Sequence, residues 1–287
     1  MKKFTALFMV VLTLFCVFSF AGCGSNDQII VQTNAFFAPF EYYDGDNIVG
    51  VDVDIMNLVG EKLGKEVVFN NVEFKTIIDN VADGSLCDCG AAGITITEQR
   101  LEKVNFSKPY FTSVQYVICA DGALEIAGTD GDVEYFLWEQ LAGKKIGVQQ
   151  DTTGDFYVSD EIAASESDPD YGWTGALYGT GAEVVRFSNG QLAVDAMKAS
   201  QLDVVVLDYL PSSYIVSKNE GLTCAALYYD GGDEDNYPTE EQYAIAVTKG
   251  NDELLNAINE VLDELLVEDA NGESQITKMV KQHYGIE

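Results

Sequence analysis

Apolar positions along this chain follow two alternating rhythms. Ile55, Leu58, Val59 and Leu63 recur at helical spacing, and Gly64 follows them as a stop, which predicts a helix over 54–63. Phe74, Ile77, Ile78 and Val81 mark the face of a second helix. Apolar runs at 29–33, 67–72 and 87–94 read as the strands around these helices. Strand, helix, strand, helix, strand is the order that builds a mostly parallel sheet, because parallel neighbours need a crossover between them. The alternation then returns. Strands are predicted at 114–120, 145–149, 183–187, 203–207 and 243–247. Helices are predicted at 133–141, 153–164, 192–199, 254–267 and 274–284. The run at 203–207 is dense enough in apolar residues for a strand buried on both faces. The segment 165–180, rich in Ser, Asp, Gly and Pro, reads as a surface insertion.

With 287 residues the chain has room for one large or two medium domains, and at 47% hydrophobic it can bury a core. Charge narrows the function. Against 16 Lys+Arg stand 47 Asp+Glu, a net charge of -31. Such a field repels phosphate, so it excludes a nucleic-acid partner and opposes docking on anionic lipid. The sole histidine, His283, leaves little basis for His-dependent catalysis or a zinc enzyme. The acidic stretch 230–236 lacks the spacing of a calcium loop and reads as a solvated loop. Neither a metal nor a cofactor is expected.

The N-terminus reads as an address. Met1, Lys2 and Lys3 precede an uncharged apolar run over 4–20, and Ala21 and Gly22 stand before Cys23. Small residues before a cysteine resemble a bacterial lipobox, with Phe20 where Leu is usual. The resemblance implies a lipoprotein signal peptide over 1–22, acyl chains on Cys23, and a tether over 23–28. A plain signal peptide and an uncleaved anchor are the alternatives. Cys16 falls in the signal, leaving Cys87, Cys89, Cys119 and Cys224. Cys87 and Cys89 share one side of a strand, and their spacing is not that of a zinc site. They read as buried small hydrophobes, with a disulfide to Cys119 or Cys224 left open.

Two strand ends carry candidate chemistry. In open α/β sheets, ligands bind beyond the carboxyl ends of the strands. After the 87–94 run come Gly93, Thr95, a Thr97–Glu98 helix start, and Arg100 one turn in. An arginine there is a planar, permanently charged clamp for a carboxylate, unless it is merely a surface residue beside a helix cap. After the 203–207 run comes Asp208, placed to hold an ammonium group or, more plainly, to cap a helix.

Several motifs in register then resemble the polar amino-acid family of solute-binding proteins of ABC importers. They are 33–42 with Asn34, Phe37, Pro39, Phe40 and Glu41; 49–54 with Gly50, Asp52 and Asp54; 93–100; and 104–110. Gly147-Val148-Gln149, Asp203-Val204-Val205 and Tyr243-Ala244-Ile245-Ala246 follow in the expected order, so the resemblance spans nearly the whole chain after the signal. It implies a two-lobed α/β fold of the periplasmic-binding-protein type, each lobe a mostly parallel sheet flanked by helices. The large lobe would be 29–110 plus 244–287, the small lobe 114–239, and the hinges 111–113 and 240–243. It also implies that Arg100 clamps an α-carboxylate, helped by Thr95, backbone from Gly93, and Thr153 at a helix start. The family usually has Gly where Asp151 stands, which puts the shape of the loop before Thr153 in question. Asp208 would take the α-ammonium, and Phe37 and Phe74 would sandwich the side chain, with Phe40 left to the core. Many relatives carry Asp where Asn34 stands. Asn34 and Gln149 therefore suggest a polar, uncharged side chain, glutamine foremost.

The expected protein is a monomeric, lipid-anchored binding protein on the extracytoplasmic face of the cell membrane, delivering an amino acid to a permease without catalysis. Two rivals use the same module. One is a dehydratase-like enzyme, in which Asp208 and Glu41 pose as an acid pair, and the other is a sensory module of a receptor.

Overall fold

Two sheets organise the computed structural model, which describes residues 27–163 and 174–285. The signal segment with Cys16 and Cys23, and much of the 165–180 insertion, lie outside the described residues. The first region contributes β1 (Gln28–Thr33), β2 (Phe36–Phe37), β3 (Glu41–Asp44), β4 (Asn47–Val49), α1 (Val51–Leu63), β5 (Glu66–Asn71), α2 (Phe74–Asp83), β6 (Cys89–Gly90), the single-turn α3 (Glu98–Leu101) and β7 (Asn105–Phe106). The long β8 (Phe111–Ala120) leads into the second region. There follow β9 (Gly128–Asp130), β10 (Val133–Leu137), β11 (Lys145–Gln149), α4 (Thr153–Ile162), β12 (Glu183–Phe187), α5 (Gly190–Lys198), β13 (Val204–Asp208), α6 (Tyr209–Ser217), β14 (Leu222–Tyr229) and β15 (Tyr237–Pro238). The return strand β16 (Glu240–Tyr243) precedes β17 (Ala246–Val247), α7 (Asp252–Leu265) and α8 (Gln275–Tyr284).

The large-lobe sheet runs β5-β1-β6-β17-β7, parallel across β5, β1 and β6. Helix α1 packs on β5, α7 and α8, while α2 packs on β1, β6 and β17. The small-lobe sheet runs β12-β11-β13-β8-β14-β10-β9. It is parallel among β11, β12 and β13, but β8 pairs antiparallel with both β13 and β14. The large-lobe sheet is mixed, with β17 antiparallel to both β6 and β7, and the small lobe is likewise a mixed sheet rather than the mostly parallel one expected. The physical reason is that β8 crosses from the other lobe and runs against the strands it joins. Beside it, β16 pairs antiparallel with β8 at the crossing, from Glu240 opposite Val114 to Tyr243 opposite Phe111.

Other differences are local. The helix expected at 133–141 is strand β10 followed by a single 3-10 turn, Trp138–Leu141. Residues 133–137 are rich in β-branched and aromatic side chains, and they pair with β9 and β14, so packing on a sheet overrides helical spacing. The 87–94 strand shortens to β6, because the chain leaves the sheet after Gly90 to form the cleft wall. The small β2-β3-β4 sheet, helix α6 and strand β14 were not predicted. The four cysteines are free thiols: Cys87, Cys89 and Cys119 are buried and Cys224 is partly so.

Candidate functional site

The large-lobe wall begins where β6 ends. Gly93 has φ 54, in the left-handed region, and a Cβ there would lie 2.7 Å from the Phe37 ring. Its N–H donates to Asp52 Oδ2 at 2.9 Å, and Tyr110 donates its hydroxyl to Asp52 Oδ1 at 2.5 Å. Asp52, buried in the first turn of α1, thus fixes the glycine turn. One turn further, Thr97 caps α3 by accepting the Arg100 N–H at 3.2 Å. Arg100 is only 6% exposed, so it is not a surface arginine beside a cap. Its Nη1 donates to the Thr95 carbonyl at 2.8 Å and its Nη2 to the Asp151 carbonyl at 2.9 Å. Its guanidinium carbon lies 5.5 Å from the Phe74 ring centre and 5.8 Å from that of Phe156. Burial lowers the guanidinium to about 10, against the pull of Glu241, Asp208 and Asp151, so it stays cationic at neutral pH.

The small-lobe wall is formed by the ends of β11 and β13. Asp208 sits at the N-cap position of α6, yet its carboxylate caps nothing there. It turns instead toward the hinge strands, accepting from Gln115 Nε2 at 2.8 Å and from the Tyr243 hydroxyl. Burial, then the neighbouring Glu241, push its carboxyl well above the ordinary range. Thr153 opens α4, with Thr152 as its cap. Asp151 adopts φ 62, so it takes the left-handed turn that a glycine would favour. Its carbonyl is thereby aimed at Arg100, and its N–H donates to Asp155 at 3.0 Å. Gln149 Nε2 donates to Asn34 Oδ1 at 3.1 Å, bridging the lobes, while Asn34 Nδ2 donates to the Val72 carbonyl at 2.7 Å.

These walls enclose one cavity between the lobes. Arg100, Asp208, Thr95, Gly93, Thr153, Asn34, Phe37, Phe74 and Gln149, each singled out from sequence, all line it, together with Glu41, Ala92 and Thr152. Phe40 does not; it packs against Phe111 and Tyr243, with ring centres 5.0 and 5.1 Å away. The cavity comprises about 290 Å³ of space not filled by protein atoms, part of it open to solvent. The lobes are closed on one another.

Residues 29–282 match the family model described as bacterial extracellular solute-binding proteins, family 3. The chain belongs to this family. It is a solute-binding protein of that type and not an enzyme. Among relatives, a probable histidine-binding protein of Neisseria gonorrhoeae is 29% identical over 238 residues, covering 82% of this chain and 76% of that protein. An ancestral arginine-binding protein bound to arginine superposes with a TM-score of 0.68 at 29% identity, covering 90% of this chain and 97% of that one. An ancestral arginine-binding protein bound to glutamine gives 0.68 at 30% identity, covering 90% of this chain and 98% of that one. Among the described residues, no helix is long and apolar enough to cross a membrane.

In this family 3 protein, sequence reasoning missed the groups that hold the site from behind. Glu241, on β16 and 2% exposed, accepts from Thr95 Oγ1 at 2.7 Å, Thr153 Oγ1 at 2.5 Å and Gln115 Nε2 at 2.6 Å. Only the alternation along β16 signals it: Glu241 and Tyr243 point inward, Glu240 and Gln242 outward. Gln115 on β8 was likewise missed, and Asp52 on α1, though part of the 49–54 motif, carried no expected role.

The buried acids give a pH signature. Burial raises Asp52 to about 6, against the lowering pull of Tyr110 and Gly93. Glu41, Asp208 and Glu241 are raised as well, all chiefly by burial. A carboxyl raised on folding stabilises nothing below its unfolded value and costs stability as pH climbs from there through its folded value. For Asp52 alone that amounts to about 3 kcal/mol, lost between roughly pH 4 and pH 6. The net charge of -31 acts in the same direction. The ligand-free protein is thus expected to melt several degrees higher at pH 5 than at pH 8 by calorimetry. An equal or higher melting point at pH 8 would count against ionisable burial at these sites.

Proposed function

We propose that the protein captures a free L-amino acid in this cavity and, closed around it, delivers it to an ABC permease as a monomer. The lobes, 29–110 plus 244–287 and 114–239, move about the hinges 111–113 and 240–243. The chain is tethered by acyl chains on Cys23, on the extracytoplasmic face of the membrane. The observation that carries this reading is the pairing of opposite charges from opposite lobes. Arg100 comes from the large lobe, its hydrogen bonds made to neutral carbonyls, and Asp208 comes from the small lobe; both line one cavity. The poles of a zwitterion match that pair, and neither lobe alone satisfies both.

The side-chain end favours a ligand with N–H donors. Gln149 Oε1 is buried without a hydrogen-bond partner, and Gln149 lines the cavity with Asn34, Phe37 and Phe74. Glutamine meets that acceptor without adding charge. Arginine is the second reading, supported by the unpartnered Oε2 of Glu41 in the same cavity and by the arginine-bound relatives. A thermal-shift screen of the amino acids, cystine included, tests both, since a ligand bound only to the native state raises the melting point. Glutamine is expected to give the largest shift. Arginine in first place selects the second reading, and no shift from any amino acid refutes the proposal.

A further inference from the structure

Resting on the amino-acid reading, we infer that Arg186 and Asp155, neither of which lines the cavity, are positioning residues that clamp the Asp151 turn so that its carbonyl meets Arg100 across the cleft. Among the described residues only Asp151 and Ser200 have a positive φ without being glycine. A free loop rarely holds an aspartate in that region, so the turn needs an outside hold. Asp155 supplies it. In the first turn of α4 and 2% exposed, its Oδ2 accepts the Asp151 N–H at 3.0 Å. The same oxygen accepts from Arg186 Nε at 2.8 Å. Arg186 Nη2 donates to Ser159 Oγ at 2.8 Å, and the Ser159 hydroxyl donates to Asp155 Oδ1 at 3.0 Å. Arg186 stands on β12, paired with Val148 of β11, so the carboxylate is tied to the small-lobe sheet and not to the loop alone.

With its N–H held on one side, Asp151 presents its carbonyl on the other, where Arg100 Nη2 donates to it at 2.9 Å. That bond joins the two lobes without involving a ligand. Releasing the turn removes it and makes the closed arrangement less populated. Affinity then falls by one common factor for every ligand, because all of them draw on the same closed state. Contacts to the ligand itself are untouched, so the order of preference stays as it was. A glycine at position 151 adopts this turn unaided, which makes the clamp dispensable. Glycine rescue therefore separates a clamp on this turn from a general role in holding the small lobe together.

The test places Arg186→Ala in the wild-type chain and in Asp151→Gly, and titrates L-glutamine and L-arginine into the four proteins by calorimetry. In the wild-type background Arg186→Ala is expected to weaken binding by at least about threefold, by the same factor for each amino acid that the wild type binds. In the Asp151→Gly background the same substitution is expected to cost less than about twofold. Unchanged affinity in Arg186→Ala, an equal loss in the two backgrounds, or a loss that differs between the two amino acids overturns the inference. If Arg186→Ala fails to fold, Arg186→Lys takes its place with the same expected and contrary results, since it keeps the charge but lacks the fork that reaches Asp155 and Ser159 together. A wild type that binds neither amino acid removes the amino-acid reading and this inference together. That result is distinct from a wild type that binds and an Arg186→Ala variant that binds equally well.

Discussion

Arg100→Ala is expected to abolish amino-acid binding while the protein still folds. The guanidinium is held by two carbonyls, from Thr95 and Asp151, and lies against Phe74 and Phe156. Its remaining N–H groups are free to meet a carboxylate in the cavity it lines. Charge-assisted hydrogen bonds contribute on the order of 1.5–3 kcal/mol each. A bidentate pair lost therefore weakens binding by at least about a hundredfold. Folding survives because burying the cation is itself costly, as its lowering to about 10 shows, and the freed carbonyls face a cleft that water can enter. Arg100→Lys is expected to fail nearly as badly, since an ammonium lacks the planar fork. Titration calorimetry on the folded variants checks this, and undiminished affinity would contradict it.

Asp208→Asn produces the second large loss, together with a change in pH dependence. The substitution keeps the shape and removes the charge. Truncating one partner of a buried, hydrogen-bonded charge pair costs about 2–5 kcal/mol. In the ligand-free protein, burial and the adjacent Glu241 hold the Asp208 carboxyl high. A bound ammonium favours its ionised form and pulls it down. Binding therefore releases a proton, and affinity falls as the pH drops below the raised free-state value, by up to about tenfold per pH unit. The variant is expected to bind at least thirtyfold more weakly, with a flatter pH profile. Calorimetry in buffers of different ionisation heat counts the proton directly. Full pH dependence retained in Asp208→Asn would assign the titration to another group.

The legible part of this protein was whatever repeats locally. Helical spacing located α1, α2, α7 and α8 within a few residues, and the apolar run 203–207 located β13. The site residues were legible because they stand at strand ends, as Gln149 and Asp208 do, or just past them, as Asn34 and Gly93 do, and because the motifs around them resemble a known family. What the sequence hid depends on distant partners. Residues 133–137 form a strand only because β9 and β14 lie beside them. Glu241 looks like any acid in an acidic chain until β16 pairs with β8 and brings it under two threonines from opposite lobes. Asp151 takes a left-handed turn with φ 62, and the carbonyl it presents is held by Arg100, a contact between distant segments that spacing does not reveal.

The central claim is that one solute is held by its two poles, one from each lobe. A crystal structure of the protein with the amino acid giving the largest thermal shift tests it most directly. The α-carboxylate is predicted to lie against the Arg100 guanidinium, with the α-ammonium against the Asp208 carboxylate inside the closed cleft. A solute bound with either group out of hydrogen-bonding reach would contradict the account.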